Sequence, residues 1–314
     1  MSRLAGIDCG TNSIRLLIAE PIEGRLRDVH REMRIVRLGE GVDATARIAP
    51  QALERTRAAL SDYAELLAEY GVSQVRMVAT SATRDAANRE EFFAMTAEVL
   101  GRVVQGAVAE VITGQAEAQL SFQGAVGELD GAEGPFVVVD LGGGSTELVL
   151  GQPDTGVTAS YSADIGCVRL TERCLRSDPP TAPEIAAARA VAADLIGQAI
   201  QVVPVQHART WVGVAGTMTT IAALALGLSA YDPAAIHLSR IGFADVNAVC
   251  DRLITLSRAE RAALGPMHPG RVDVIGGGAI VVQELVRILA DRAGIAELVV
   301  SEHDILDGIV LSIV

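Results

Sequence analysis

The sequence predicts an α/β protein built from two related halves, and three observations carry that expectation. The stretch from Phe136 to Leu150, FVVVDLGGGSTELVL, runs apolar, passes an acidic residue, three glycines and a serine, and runs apolar again. That is the outline of strand, tight loop and strand. The segment Asp8–Leu16 matches Asp140–Leu148 in Asp, Gly, Ser and Leu at one constant offset, 140 − 8 = 132, and such self-similarity marks a duplicated unit. Strand-like runs then alternate with helical ones along 314 residues, 50% of them apolar and 3% aromatic, which leaves Ala, Val, Leu and Ile to fill the core.

The glycines matter chemically. Successive backbone N–H groups with no side chains in the way form a concavity that fits phosphate oxygens. Asp140 and Glu147 flank the loop, so the same turn suits a divalent cation that the phosphates share. One such turn alone reads as an ordinary hairpin, because Asp and Gly are common turn residues. Two in register predict anion-binding turns that face each other across a cleft.

Taken in order, residues 4–20 read as strand, phosphate turn and strand, and Arg25–Leu38 as a further strand. Its arginines at 25, 27, 31, 34 and 37 read mainly as a solvated face, with a polyphosphate path as the lesser alternative. Pro50–Tyr70 is an amphipathic helix closed by Gly71. Residues 75–80 form a strand that runs into Ser81-Ala82-Thr83-Arg84 and a helix through Phe93. That junction favours anions and carries Arg84, although pairing with Asp85 or Glu90 is the plainer reading of the arginine. Residues 108–124 give strand, Gly114 turn and a helix with Glu117 in its first turn. Asp164–Arg169 opens a helix that continues past Arg173. Thr181-Ala182-Pro183-Glu184 is a capping box for a helix to about Val203. Thr210–Thr217 reads as a third strand-to-glycine junction, 244–263 as one helix, and Arg271–Gly278 as a fourth junction before a helix from Ala279 to Arg292. Leu298–Ser301 is a last strand and Asp304–Val314 a last helix.

Composition excludes several classes. A net charge of −13 argues against general electrostatic binding of nucleic acid. All 26 basic residues are arginine, so Schiff-base chemistry and a lysine-dependent P-loop are ruled out. Four cysteines without Cys-x-x-Cys spacing read as reduced thiols in a cytoplasmic protein. No signal peptide is expected after Arg3. The uncharged stretch Thr210–Tyr231 approaches membrane-spanning length, but its glycines and threonines fit strand, loop and buried helix better, so no membrane span is expected.

Together DCGTNSIRLLIA, ATSATRDAANREEF, ITGQAEAQLSF, VVDLGGGSTELVLG, VGVAGTMTTIAAL, RVDVIGGGAIVV and LVVSEHDILDG, in this order, resemble the exopolyphosphatase and guanosine pentaphosphatase (Ppx/GppA) family of the actin-like ATPase superfamily. The resemblance implies two ribonuclease-H-like lobes with an interlobe active-site cleft, placed at 1–116 plus 303–314 and at 117–302. It makes Glu117 the general base for the attacking water. Asp140 and Glu147 then serve Mg²⁺ and phosphate, and Gly142, Gly143, Gly144 and Ser145 form the backbone nest. Asn12 and Ser13 contact phosphate from the other lobe, and Arg84 matches a phosphate-binding arginine. Three departures stand out: Ala116 where the family has a second Glu, His237-Leu238 where many members have His-Gly, and Asp304–Gly308 in place of Gly-Leu-Arg-Glu-Gly. Longer members append an HD-type helical domain, and the chain is expected to act without one. A homodimer is implied by the resemblance alone.

The activity expected is Mg²⁺-dependent hydrolysis of terminal phosphate from inorganic polyphosphate. The closest rival is the 5′ γ-phosphate of guanosine pentaphosphate, against which the scarcity of aromatic stacking platforms weighs mildly. A kinase of the same superfamily and a non-catalytic alarmone or polyphosphate sensor are the remaining alternatives.

Overall fold

The structure, a computed structural model, describes residues 3–22 and 25–314. The chain divides into two compact units, one of residues 1–124 with 305–314, the other of residues 125–304. The breaks fall at 124/125 and 304/305 rather than at the expected 116/117 and 302/303. Glu117 lies within one continuous helix, Gly114–Val126, and this helix packs through Leu120 against Ile305 and Ile309 of the first unit.

The first unit is built on a five-stranded sheet. Strands β1 (Arg3–Cys9), β2 (Ser13–Ile22) and β3 (Arg25–Ile35) form an antiparallel meander, and β4 (Val72–Ala79) and β5 (Ala109–Val111) add in parallel, in the order β3-β2-β1-β4-β5. Helices α1 (Val42–Thr45), α2 (Pro50–Glu69), α3 (Ser81–Asp85), α4 (Arg89–Leu100) and α5 (Gly114–Val126) join the terminal helix Ile305–Leu311 around it. The face of α2 that carries Leu60, Tyr63 and Leu67 is fully buried, as the helical spacing predicts. The expected single helix after β4 is two, α3 and α4, separated at residues 86–88, where Asn88 exchanges hydrogen bonds with the backbone of Ile48.

Most arginines of β3 have acidic partners. Arg27 pairs with Glu20, Arg31 with Asp28 and Asp307, and Arg34 with Glu32 and Asp62. They form a paired surface on an edge strand, which also discourages strand addition. Arg31 Nη2 lies 2.5 Å from Asp307 Oδ1, and Asp307 is buried. A Cβ on Gly308 would lie 2.1 Å from the Leu120 carbonyl oxygen. Asp307 and Gly308 therefore fix the terminal helix within this unit.

The second unit repeats the plan. Strands β6 (Phe136–Leu141), β7 (Thr146–Gln152) and β8 (Gly156–Ala163) form an antiparallel meander. Strands β9 (Thr210–Val214) and β11 (Glu297–Val300) add in parallel, and β10 (Ser239–Gly242) closes the edge, giving β10-β11-β9-β6-β7-β8. The duplication expected from the 132-residue offset is thus present in the topology: a three-strand meander, then parallel strands beside its first member, in both units.

Around this sheet lie α6 (Cys167–Cys174), α7 (Ala182–Val202), α8 (Ala215–Ala225), α9 (Pro233–Ile236), α10 (Phe243–Thr255), α11 (Arg258–Ala262) and α12 (Ile275–Ala293). The Thr181–Glu184 capping box starts α7. This helix is long and apolar enough to cross a membrane by length and composition alone, and it packs Ala188, Ala192, Ile196 and Ala199 into the core. The stretch Thr210–Tyr231 is β9 followed by an eleven-residue helix.

Two expectations for this unit need correction. The predicted helix 244–263 breaks at Ser257, whose capping box with Glu260 begins α11. No strand precedes Gly276-Gly277-Gly278. These glycines lie in the first turns of α12, where a Cβ would meet Arg261, Thr171 and Thr217 at 2.8, 2.4 and 2.7 Å respectively. They permit close helix packing rather than forming a loop.

Candidate active site

In the first unit, the turn between β1 and β2 carries Asn12 and Ser13. It is closed by the Gly10 N–H to the Ser13 carbonyl at 2.9 Å and braced by the N–H groups of Val36 and Arg37 on the Asn12 carbonyl, at 3.0 and 2.8 Å. Thr11 Oγ1 lies 2.9 Å from Ser81 Oγ, which ties the turn to α3. On α3, Arg84 donates from Nη1 to the Ile112 carbonyl at 3.0 Å and to Glu117 Oε2 at 3.1 Å. The predicted partners for Arg84, Asp85 and Glu90, are thus replaced by the candidate base itself. Glu117 is 7% exposed. Its neighbour Ala116 packs against the cluster of Val78, Ile112, Leu120, Ile305 and Ile309, so the departure from a second Glu places a methyl against apolar side chains.

In the second unit, Asp140 on β6 and Glu147 on β7 are direct cross-strand partners, 6% and 1% exposed. Opposed residues of an antiparallel pair share a face. Ser162 on β8 is the partner of Glu147 and donates to its Oε1 at 2.7 Å. Asp140, Glu147 and Ser162 therefore form one lateral row across three strands.

The loop from Gly142 to Ser145 is held from behind. The N–H groups at the start of α6 are taken by its carbonyls: Cys167 to Gly142 at 3.0 Å, Val168 and Arg169 to Gly143 at 2.9 and 3.1 Å. A Cβ on Gly166 would lie 2.4 Å from the Gly143 carbonyl carbon and oxygen, so the loop rests directly on the helix start. Among the described residues, no hydrogen bond is drawn from the N–H groups of Gly143 and Gly144. With its carbonyls turned to α6, the loop has the polarity an anion nest needs.

The two copies of the turn differ at one decisive position. The register partner of Asp8 in the first unit is Arg15, and its Nε and Nη2 donate to Asp8 Oδ2 at 2.9 and 2.7 Å. The partner of Asp140 in the second is Glu147. The aspartate of the first unit is thus taken up by a guanidinium, whereas that of the second has a second carboxylate as its cross-strand partner. The donor set at Asp140 and Glu147 is all oxygen, which fits a hard divalent ion.

The other glycine junctions are filled. A Cβ on Gly216 would lie 2.0 Å from Arg271 Cζ, and Arg271 donates to the Gly216 carbonyl at 3.1 Å. The third junction is therefore occupied by a side chain, and the fourth is helix. Ser162 and Gly166 were not marked by the sequence, since neither belongs to a glycine motif.

Residues 17–313 match the Ppx/GppA phosphatase family. The chain belongs to this family. It is 65% identical over 317 residues to a Mycobacterium tuberculosis protein named Exopolyphosphatase 2, covering all of this chain and 99% of that one. A solved exopolyphosphatase-like protein has 45% identity and a TM-score of 0.93, covering 99% of this chain and 98% of that one. The Aquifex aeolicus Ppx/GppA family member shares 32% identity at a TM-score of 0.80, covering 99% and 97%. The α/β fold with two mixed sheets is that of these relatives.

Proposed function

We propose that this chain is an exopolyphosphatase that removes the terminal phosphate of inorganic polyphosphate with Mg²⁺. The observation that carries the reading is the buried Asp140–Glu147 pair beside a loop whose Gly143 and Gly144 N–H groups are unused. Such a pair offers oxygen ligands to a cation, and such a loop offers donors to an anion. The name of the mycobacterial relative supports polyphosphate as that anion.

Bound at Asp140 and Glu147, Mg²⁺ would supply neutralisation of the charge on the phosphate oxygens. The N–H groups of Gly143 and Gly144 take phosphate oxygens into the nest. Glu117 accepts a proton from water as the water oxygen bonds to the terminal phosphorus. The bridging P–O bond breaks, and the shortened chain leaves with the bridging oxygen. Arg84 fixes Glu117 through Nη1, and a guanidinium carries further donors suited to phosphate oxygen. Asn12 and Ser13 are assigned to substrate phosphates.

The test is phosphate release with Mg²⁺ from long polyphosphate, short polyphosphate and guanosine pentaphosphate in parallel. Release from polyphosphate in preference to the pentaphosphate is expected. Preference for the pentaphosphate would transfer the same machinery to alarmone hydrolysis, and binding without release from any of the three would overturn the enzymatic reading.

A further inference from the structure

We infer that the second unit carries an additional cation site, formed by Glu128, His237 and His303, that takes a nitrogen-binding divalent metal of the zinc, cobalt or nickel class. One ligand atom from each residue lies within 4.8 Å of the others. His237 Nε2 is 3.0 Å from Glu128 Oε2, and the rings of His237 and His303 stack at 4.6 Å between centroids and 23° between planes. Ligand atoms around a tetrahedral ion with bonds near 2.0–2.1 Å stand about 3.4 Å apart. The cluster must therefore close by about 1.4 Å at its widest. Glu128 Oε2 is already 3.0 Å from His237 Nε2, so the movement falls to His303, whose ring must turn out of its stack on His237 to aim a nitrogen at the same ion.

The donor chemistry separates this site from Asp140 and Glu147. Two imidazoles and one carboxylate suit zinc-class ions, whereas Mg²⁺ prefers oxygen throughout. Three protein ligands leave room for water on the metal. The backbone beside the site is strained: Leu238, directly after His237, has φ +57°. This is a left-handed conformation unusual for a residue other than glycine, and such strain persists where surrounding structure over-determines it. The ligands also have a particular place in the chain. Glu128 lies four residues after Gly124 and His303 two before Ile305, so they flank both points at which the chain passes between units. A cation there ties together the segments by which the chain enters and leaves the second unit.

One existing bond must change. The Glu302 N–H donates to His237 Nδ1 at 3.2 Å, which puts the ring proton on Nε2. A metal at Nε2 moves that proton to Nδ1 and displaces the Glu302 N–H, so the Glu302 amide becomes a reporter of occupancy.

The experiment is titration of chelator-treated protein with CoCl₂ in millimolar MgCl₂, read by visible Co²⁺ absorption and by the amide spectrum of ¹⁵N-labelled protein. One equivalent is expected to bind with Co²⁺ bands of nitrogen and oxygen ligation and a shifted Glu302 amide. His303→Ala and Glu128→Gln, each checked for an unchanged melting curve, should weaken binding by about 10–100-fold. The Asp140→Asn/Glu147→Gln double variant should leave the titration in place. Absence of saturable binding, indifference to His303→Ala, or loss of binding in the Asp140/Glu147 variant would each overturn the assignment.

Discussion

Replacing Gly166 with Ala adds one methyl and tests whether the loop from Gly142 to Ser145 acts by its position. Gly166 has φ −150° and ψ 174°, extended backbone that alanine adopts freely, so the substitution brings no conformational strain of its own. The added Cβ would lie 2.4 Å from the carbon and oxygen of the Gly143 carbonyl and 2.6 Å from the Gly144 nitrogen. All three are backbone atoms, which no rotamer change can move aside. Ordinary contact begins at 3.4 Å, so the loop must retreat by about 1.0 Å, carrying with it the N–H groups assigned to phosphate. A misplacement of about 1 Å at a reacting centre costs on the order of 10²-fold in rate, and overpacking a core costs about 1–3 kcal/mol in stability. The assay is phosphate release from polyphosphate beside a thermal melt. The expectation is a folded protein with kcat/KM lowered about 10²-fold. Gly131→Ala, with nothing within 4 Å of its added Cβ, is the neutral control. A folded Gly166→Ala protein with full activity would refute the placement of the nest.

Three further outcomes follow from named contacts. Ser162→Ala removes the 2.7 Å hydrogen bond to Glu147 Oε1 and should raise the half-saturating Mg²⁺ concentration about 10-fold or more, with Ser162→Thr restoring it. The Glu20 carboxyl is held below its ordinary range, first by its hydrogen bond with Arg27 and then by that with Arg3. Because the folded value is depressed, this stabilisation is complete above the unfolded value, near 4.5, and is lost as pH falls through the lower folded value. Urea midpoints of wild type and Glu20→Gln should therefore differ at pH 6 and converge in strong acid. Burial pushes Cys167 up to about 11 and raises Cys9 and Cys250 further, whereas Cys174 is only partly buried. A thiol reagent should modify Cys174 in the native protein and reach the other three only on unfolding.

Much of the fold was legible because local chemistry and tertiary structure agree. The capping box at Thr181, the buried stripe of α2 and the Asp-to-Leu repeat each carry a complete local signal, and the structure places helix, helix and paired hairpins there. Where packing overrides local preference the sequence misleads. Gly276-Gly277-Gly278 has the composition of a loop, yet it is helical, and its glycines are there because Arg261, Thr171 and Thr217 occupy the space of any side chain.

The candidate site divides in the same way. Asp140, Glu147 and the glycine loop lie within eight residues of one another and are visible as a motif. The Arg84–Glu117 pair spans 33 residues and the Ser162–Glu147 bond 15. These contacts exist only once strands are ordered side by side. Leu238 belongs to this class too: its φ of +57° is a left-handed conformation that only the backbone discloses.

The central claim assigns proton transfer to Glu117 and cation binding to Asp140 and Glu147. It is tested most directly by titrating Mg²⁺ against phosphate release from polyphosphate in wild type, Glu117→Gln and Glu147→Gln. The account predicts that Glu117→Gln lowers kcat by about 10²–10⁴-fold with the half-saturating Mg²⁺ concentration unchanged, and that Glu147→Gln raises that concentration. A Glu117→Gln protein that turns over at the wild-type rate, or a Glu147→Gln protein with wild-type Mg²⁺ dependence, would contradict it.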